Sequence, residues 1–513
     1  MVNVEKNNLK PPEDLLSKNA AYFALLIIIV LGLFLRVYDL GSKSFWDDEI
    51  ISITGSERIV DMNSFLSPDP YNAHPPLYFL ILKLGSYFGG GEVLLRLFSV
   101  FFGLLSIPAI FLLAKQFFDL KTSVLASFLL SISPFLLRFD REVRMYSLFM
   151  FLTVITILFF IKALKRDKNY YWVGYVFFMV LTLYTHYHSF LVLASTWLFF
   201  FLEFNTYKSI WRKAFISQVV IAVFYSFWLL PFIYHYFLYS APVAGLIRFP
   251  SVYGFWIKPL YLFYSFSLGQ TILPWNYHIV IPGLILFMIL FLLGLKSFSR
   301  REISIFFGSF LFFPIVLGLF ITELMPRYFI FICPVFYLLI AGGINRLERK
   351  KHQLIMILFL TAILSFPVRN YYLNQEFHIL ANVTPWREVG KYIKDNFHEN
   401  DILINVGSGP SLSYYSGLDA PTLGLNAINK IKEIDNIPTK NIWVVVSNPA
   451  YKEAADSVLI WMNKNYKLIN EKKYFIDNDF DRKSKYFNKN FLKYRVIVYL
   501  YRKNDELSNL VRT

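Results

Sequence analysis

The chain has 513 residues, of which 56% are hydrophobic, 19% aromatic and 17% charged. Soluble globular proteins carry about 25% charged residues, and apolar runs of about 18 or more residues recur through the first three quarters of this chain, as membrane-spanning helices require. The net charge of +16 does not indicate a nucleic-acid partner, because the basic residues concentrate in short loops between apolar runs. Composition therefore predicts a multi-pass membrane protein.

The first apolar run, Ala21 to Val37, follows a lysine-bearing polar stretch. A cleaved signal peptide has a shorter apolar core and a small-residue cleavage site, so this run is predicted to be a retained anchor. About eleven spans are predicted in all, at roughly 21–40, 93–115, 123–138, 144–164, 171–187, 189–204, 214–234, 279–295, 303–322, 328–345 and 353–369. The single cysteine, Cys333, lies in an apolar segment, which excludes a disulfide framework or a cysteine metal site.

Basic clusters fall at alternate junctions between these spans: Lys115/Lys121, Lys162/Lys165/Arg166/Lys168, Lys208/Arg212/Lys213, Lys296/Arg300/Arg301 and Arg346/Arg349/Lys350/Lys351. Placing all of them in the cytoplasm, together with the amino terminus, puts the other junctions outside. If the apolar stretch from Pro75 to Phe88 were counted as a span, every later loop would lie on the opposite side of the membrane. At about 14 residues it is also short for spanning, so it is predicted to be an interfacial helix, as are residues 48–66.

The chain becomes polar and mixed from about residue 370. Trp386 to Phe397 is predicted to be an amphipathic helix, with Thr384 as its cap before Pro385. Three strands, at 401–406, 442–446 and 495–500, and a helix at 454–465 predict a small α/β domain with a partly parallel sheet. Gly407-Ser408-Gly409 is predicted to be a plain turn, since its spacing does not match a dinucleotide fingerprint.

Three regions follow from this pattern. Residues 1–20 are predicted to be a cytoplasmic segment, and residues 21–370 a transmembrane catalytic domain whose first external loop spans 41–92. Residues 371–513 are predicted to form an extracytoplasmic α/β domain. The fold class is thus a polytopic α-helical membrane protein, with interfacial helices and a C-terminal soluble α/β domain.

Five polar clusters fall on the predicted external side: Asp47-Asp48-Glu49, His74-Pro75-Pro76-Leu77-Tyr78, the run from Arg138 to Ser147, Tyr184 to His188, and Glu323 to Tyr328. Each has a structural explanation: a helix cap, a rigid helix start, internal ion pairs, interfacial packing or an interfacial anchor. Together they favour function, because ionisable groups at membrane depth are costly and the inner loops carry only lysine and arginine.

Glycosyl transfer from a lipid phosphate needs this set of groups. A carboxylate accepts the proton of the attacking acceptor hydroxyl. Cationic or hydrogen-bonding groups hold the phosphate and stabilise the charge it gains on leaving.

The order of four motifs resembles the polytopic GT-C glycosyltransferases. These are Trp-x-Asp-Glu after the first helix, His-Pro-Pro-Leu-Tyr, Arg-Met-Tyr-Ser after the third span and Pro-Arg-Tyr late in the membrane domain. The chain is most similar to bacterial and archaeal relatives of protein O-mannosyltransferases and of the lipid A aminoarabinose transferase, over roughly residues 20–370. The resemblance implies a polyprenyl-phosphate-linked sugar donor, an external active site and inversion at the anomeric carbon.

Carried over by position, the family's catalytic aspartate falls on Asp48, with Asp47 and Glu49 orienting the acceptor or the sugar. The resemblance implies phosphate contacts from Arg141, Arg144 and Arg327, with His74 and Tyr328 lining the cavity. The further substrate-binding candidates are Tyr78, Arg138, Asp140, Glu142, Tyr146 and His186. One departure is that aminoarabinose transferases have an aspartate near the position of Tyr146; Asp140 or Glu142 would have to supply a second acid.

The sequence therefore predicts a hexosyl- or pentosyltransferase of the cytoplasmic membrane, with membrane lipids, a polyprenyl-phosphate-sugar donor and a protein, lipid or glycan acceptor as partners. Asp47, Asp48 and a histidine have the ligand types for a divalent cation, but the resemblance implies a metal-independent branch, so no metal is expected. Two alternatives stay open: a transporter or flippase for a lipid-linked saccharide, and an O-antigen ligase or polymerase. Paired halves with interrupted helices, typical of transporters, are not evident in the sequence.

Overall fold

The computed structural model describes residues 17–61, 74–234, 257–296, 300–321, 324–378, 380–407, 409–419, 422–423, 441–447, 452–474 and 496–503. The chain divides into two compact units. The first comprises residues 1–40 and 55–369, and the second comprises residues 41–54 and 370–513. The acidic motif at 47–49 thus belongs to the second unit, although the sequence assigned the whole loop 41–92 to the transmembrane domain.

The first unit is helical. Its helices are α1 (Lys18–Val37), α2 (Asp47–Glu57, which begins in the second unit), α3 (Leu77–Ser86), α4 (Glu92–Ala114), α5 (Leu120–Ile132), α6 (Pro134–Phe139), α7 (Tyr146–Arg166), α8 (Asn169–Leu183), α9 (Ser189–Leu202), α10 (Phe204–Tyr207), α11 (Trp211–Tyr234), α12 (Ile257–Leu268), α13 (Tyr277–Leu295), α14 (Arg301–Phe307), α15 (Phe313–Ile321), α16 (Cys333–Asn345) and α17 (Lys350–Tyr372). A π-helical turn, Gly308–Phe312, joins α14 to α15. Every span predicted from the apolar runs coincides with one or two of these helices.

By length and composition, seven helical stretches of the described chain can cross a membrane: Lys18–Val37, Glu92–Ala114, Tyr146–Arg166, Phe204–Pro231, Tyr277–Leu295, Arg301–Phe320 and Lys350–Tyr372. Five further apolar helices have 10–17 residues. One of these is α3, which lies in the stretch predicted to be interfacial. Its ten residues extend about 15 Å, half the thickness of a hydrocarbon core.

The sequence missed one helix in this unit. No helix was predicted between the spans at 214–234 and 279–295, but α12 occupies Ile257–Leu268 and buries its second half. The predicted helix at 48–66 ends at Glu57, and its last residues, 62–66, lie outside the described residues.

The second unit contains a five-stranded sheet with the strand order β2-β1-β3-β5-β4. Its strands are β1 (Ile402–Val406), β2 (Thr422–Leu423), β3 (Asn441–Val446), β4 (Tyr466–Tyr474) and β5 (Val496–Lys503). Strands β2, β1 and β3 run parallel, whereas β5 pairs antiparallel with β3 and β4. The partly parallel α/β sheet predicted from the sequence is therefore confirmed.

Successive side chains of the central strands point to opposite faces of the sheet, and both faces are apolar. One face, with Ile404 and Val444, packs against the helix α20 (Lys452–Asn465) through Val458 and Met462. The opposite face packs against α18 (Trp386–Asn396) and α19 (Ser411–Ser416); its residues are Leu403, Trp443, Val445, Val496 and Val498, against Trp386, Val389, Ile393 and Leu412. The domain thus has three layers.

Two expectations for this domain were wrong or incomplete. The residue that caps α18 is Pro385, with no side-chain cap hydrogen bond, rather than Thr384. The longest strand, β4, was missed. A half-buried strand is identified by alternating apolar and polar residues. Strand β4 lacks this alternation, because seven consecutive residues after Tyr466 are exposed.

Candidate functional site

The acidic motif opens α2 in the second unit. All three carboxylates lie in the first turn, where the positive end of the helix dipole stabilises negative charge. The Glu49 carboxylate accepts a hydrogen bond of 3.2 Å from the backbone N–H of Trp46, and the Glu49 residue is buried, with 1% exposure. In a capping box, the side chain at the third helical position accepts a hydrogen bond from the backbone N–H of the N-cap residue. Glu49 makes this bond and therefore has a structural role.

Asp47 contacts a second structural element of the same unit. Its Oδ1 accepts hydrogen bonds from the Ser411 hydroxyl at 2.5 Å and from the Ser411 N–H at 3.3 Å. Gly409 makes this approach possible, because a Cβ there would lie 2.6 Å from the Asp47 carboxyl carbon. Gly409, at the end of the segment predicted to be a turn, therefore lies against a carboxylate. Burial is the main cause that raises the pKa of Asp47 above its ordinary value of 3.8, and the charge of Asp48 adds to it.

Asp48 lies between these two structural acids in the sequence. Successive residues of an α-helix project about 100° apart, so Asp48 points away from the sides of the helix that Asp47 and Glu49 use. Its side chain is half-buried. The three adjacent acids thus have different surroundings and point to different sides of the helix. The assignment of Asp48 as the general base remains a prediction.

In the first unit, Asp140 lies in a fully buried ion pair. Its Oδ2 accepts from Arg36 Nε at 2.8 Å, and Arg36 Nη2 lies 2.8 Å from the same oxygen, with both side chains 0% exposed. Oδ1 accepts from the Ser147 hydroxyl at 2.6 Å. These contacts join α1 to the junction between α6 and α7, which favours a structural role for Asp140.

Two more charged residues of this junction have partners within the unit. Arg138 donates to Glu142 at 3.1 Å and to Gln270 at 2.7 Å, and it is 1% exposed. Arg141 donates to the carbonyl oxygens of Asp39, at 2.8 Å, and of Leu35, at 3.4 Å. Arg141 therefore satisfies backbone acceptors at the end of α1.

Arg144 has different surroundings. Its Nη2 lies 3.2 Å from His74 Nε2, and its backbone carbonyl accepts from Ser99, which also bonds to the Tyr78 hydroxyl at 3.0 Å. Tyr78, 1% exposed, thus helps to position Arg144. The guanidinium lies 5.7 Å from the ring of Tyr146.

His186 lies at the centre of this region, in the turn between α8 and α9. Its ring stacks on Phe149 at 4.9 Å, and the ring of His74 lies at 5.5 Å. The backbone N–H of His188 donates to His186 Nδ1 at 3.1 Å, so the neutral ring carries its proton on Nε2. Nε2 is buried, and no residue that the structure describes accepts its hydrogen bond.

Four basic residues near His186 affect its charge. Burial first, and then the charges of His188, His74, Arg144 and Arg327, hold the pKa of His186 well below 6.5. Burial also lowers the pKa of His188 to about 4. Both imidazoles are therefore neutral at pH 7, whereas the guanidinium groups remain charged.

Arg327 and Tyr328 complete this region. Arg327 donates to the Tyr328 hydroxyl at 3.4 Å and lies 5.2 Å from its ring. The Tyr328 ring is 5.7 Å from His186 and 5.3 Å from His188. We call the following set the histidine–arginine cluster: His74, Arg144, His186, His188, Arg327 and Tyr328. Glu323, from the same predicted motif, lies outside the described residues.

Sequence reasoning did not identify several residues on which the site depends. Arg36 was counted as part of a span, although an arginine inside an apolar run is itself a signal of a buried partner. Ser411 and Gln270 have no local signal, because each is a common polar residue in an unremarkable context. Among the residues described, no group of three or more His, Cys, Asp or Glu side chains is arranged to hold a metal ion.

A family model described as dolichyl-phosphate-mannose-protein mannosyltransferase matches residues 73–235, about a third of the chain. This segment carries most of the histidine–arginine cluster. No curated protein sequence matches the chain significantly.

Solved structures with a similar fold cover most of the chain. ArnT from Cupriavidus metallidurans in the apo state has 13% identity and a TM-score of 0.56, covering 94% of this chain and 98% of that one. The same protein bound to undecaprenyl phosphate has 12% identity and a TM-score of 0.55, with the same coverage. The archaeal oligosaccharyltransferase AglB from Archaeoglobus fulgidus, in complex with an inhibitory peptide and a dolichol-phosphate, has 11% identity and a TM-score of 0.53, covering 83% of this chain and 69% of that one.

The family model matches the segment that carries two of the four motifs, and the solved structures share the fold of this chain. The chain is a polytopic α-helical membrane protein with a small C-terminal α/β domain, as the sequence predicted.

Proposed function

We propose that this protein transfers a sugar from a polyprenyl-phosphate-linked donor to an acceptor on the outer face of the cytoplasmic membrane. The observation that carries the proposal is the histidine–arginine cluster, which contains two guanidinium groups and a buried imidazole whose N–H has no acceptor among the described residues. A phosphate needs such charged and neutral donors. The undecaprenyl phosphate and dolichol-phosphate bound by two structural relatives support a polyprenyl carrier.

In the proposed reaction, the oxygen of the acceptor hydroxyl attacks the anomeric carbon as the bond from that carbon to the phosphate oxygen breaks. The configuration inverts, because attack and departure occur on opposite faces of the sugar. The hydroxyl proton passes to Asp48. The leaving phosphate gains negative charge, which Arg144, Arg327 and the Nε2–H of His186 stabilise. Asp47 and Glu49 hold the segment that carries Asp48.

The test is a transfer assay with purified full-length protein, a radiolabelled polyprenyl-phosphate sugar and a membrane extract as the source of acceptor. Asp48→Asn is expected to lower the transfer rate by about 10²–10⁴-fold, the usual contribution of a general base, while donor affinity changes little. Glu57→Gln, an acid-to-amide change at the other end of the same helix, is the matched control and is expected to stay within about twofold of the parent.

An unchanged rate in Asp48→Asn would show that the base is another group. If the parent transfers no sugar but moves lipid-linked sugar across liposomes, the transporter hypothesis is correct instead.

A second prediction concerns His186 and the donor phosphate. His186→Phe keeps a ring stacked on Phe149 but removes the N–H donor. Its Kd for a short-chain polyprenyl phosphate is expected to rise by about 10–100-fold, because a hydrogen bond to a charged group contributes roughly 1.5–3 kcal/mol. In His186→Gln the amide N–H can replace Nε2–H, so the Kd is expected to rise much less. Titration calorimetry in detergent measures both constants.

The neutral state of His186 gives this prediction a pH signature. Because its pKa lies well below 6.5, its donor is present at pH 6 and at pH 8 alike. The ratio of the affinities of parent and His186→Gln for a phosphodiester donor is therefore expected to stay constant over that range. A parent affinity that strengthens below pH 6.5, and does not in the variant, would mean that His186 binds as a cation.

A further inference from the structure

Three junctions that the charge pattern places in the cytoplasm meet at one polar cavity of the first unit. Phe118 and Asp119 come from the α4–α5 junction, Arg300 precedes α14, and Arg346 follows α16. The cavity has a volume of about 260 Å³, and its remaining lining residues are Thr122, Ile303, Gly342 and Asn345. It is separate from the histidine–arginine cluster, with which it shares no residue.

The floor of the cavity is a closed hydrogen-bond network. Asp119 Oδ1 accepts from the Thr122 N–H at 2.9 Å and caps α5, while Oδ2 accepts from Asn345 at 3.0 Å. Asn345 also donates to the Thr122 hydroxyl at 2.9 Å. Both oxygens of the carboxylate therefore have donors, which fixes the end of α16 to the start of α5.

The rim of the cavity is cationic. Arg346 donates to the carbonyl of Lys296 at 2.8 Å, and Arg300 donates to the carbonyl of Phe117 at 3.5 Å. Each bond uses one of the five N–H donors of a guanidinium, so both groups are oriented and still have donors for an anion. Both side chains are exposed.

Two lysines increase the positive charge beside the cavity. Lys121 interacts electrostatically with Asp119 and with Lys350, and its ammonium group bonds to Gln353. Four cations thus accompany one carboxylate whose oxygens already have donors.

We infer that this cavity binds the phosphodiester headgroup of an anionic phospholipid from the cytoplasmic leaflet. Two guanidinium groups suit phosphate oxygens, which they can engage in pairs of hydrogen bonds. Basic pockets between membrane helices on the cytoplasmic side bind such headgroups, and anionic lipids are concentrated in that leaflet. The buried side chains of Phe118 and Ile303, 8% and 2% exposed, offer apolar contact to the glycerol end of the lipid. The bound headgroup would hold the ends of α5, α14 and α16 together.

The test is native mass spectrometry of the full-length protein with phosphatidylglycerol or phosphatidylcholine. The parent is expected to bind phosphatidylglycerol preferentially. Arg300→Gln and Arg346→Gln are each expected to weaken that binding about fivefold, and the double variant roughly 25-fold, as each basic residue near a membrane surface contributes about a factor of five. The matched control is Lys208→Gln/Arg212→Gln, which removes two exposed basic residues from another predicted cytoplasmic junction and is expected to change affinity less than twofold.

If the control variant loses as much affinity for phosphatidylglycerol as the double variant, general surface charge attracts the lipid. If the double variant binds phosphatidylglycerol as well as the parent does, the cavity is not the binding site. Either result overturns the proposal. Competition by millimolar inorganic phosphate that abolishes lipid binding would overturn the assignment to a lipid and indicate a free-anion site. If the double variant does not fold, the two single variants decide, with folding checked by thermal unfolding in phosphatidylcholine. None of these measurements depends on sugar transfer.

Discussion

Two aspartates, one in each unit of the molecule, show two ways of keeping a carboxylate away from water. Asp140 is fully buried and has a guanidinium as its partner, with Arg36 Nη2 at 2.8 Å. Asp47 is half-buried and accepts hydrogen bonds from neutral donors, the hydroxyl and the backbone N–H of Ser411. A buried charge is stable when it is paired and bonded, whereas neutral donors compensate for desolvation only in part.

This difference explains what each motif is suited to do. The cluster at 138–147 contains charged residues that mainly hold helices together, and Arg144 is the member directed at the histidines. The acidic motif keeps Asp47 in an environment that raises its pKa, beside Asp48. Charged residues that are neighbours in the sequence therefore have different roles, which depend on the partners each one finds.

The largest expected effect comes from breaking the ion pair. Arg36→Met leaves the Asp140 carboxylate buried without its cation, and the free energy of unfolding is expected to fall by about 3–5 kcal/mol. Denaturant unfolding in detergent micelles measures it. Adding Asp140→Asn removes the unpaired charge and is expected to restore part of the loss. A single variant that loses less than about 1 kcal/mol would contradict the assignment of this pair as a structural contact.

A smaller effect is expected from crowding the same pair. Gly103 of α4 packs against Asp140 so closely that an added Cβ would lie 2.3 Å from the carboxyl carbon. Gly103→Ala is therefore expected to displace the carboxylate and destabilise the protein by about 1–3 kcal/mol, the usual cost of overpacking. Gly308→Ala is the control, since a Cβ there meets nothing within 4 Å. Equal melting temperatures for the two variants would show that α4 can move aside at no cost.

The smallest effect is a change in the titration of Asp47. Its pKa is raised above 3.8, and its hydrogen bonds with Ser411 oppose that shift, so Ser411→Ala is expected to raise the pKa further. The folded state then binds more protons than the unfolded state just above pH 3.8, and stability falls as the pH rises through that window. Infrared absorption of the protonated carboxyl, with Asp47→Asn to assign the band, follows this titration. A pKa that falls in Ser411→Ala would contradict the proposed hydrogen bonding.

The sequence predicted what depends on local pattern. Apolar runs located the spans, and the strand–helix alternation after residue 370 predicted the partly parallel sheet. The order of four short motifs indicated the GT-C superfamily. Where local pattern was weak the prediction failed: α12 lies in a mixed segment, and β4 exposes seven of its nine residues.

Only the tertiary structure decided how the polar residues pair. Arg36 and Asp140 are 104 positions apart, and Asp47 and Ser411 are 364 apart, and no local pattern connects them. Nor could the sequence determine that His186 is neutral with its proton on Nε2, because burial, nearby cations and one backbone N–H set that state together. Hydrophobic periodicity is a property of consecutive residues, whereas the charge state and partner of an ionisable group depend on which distant segments pack around it.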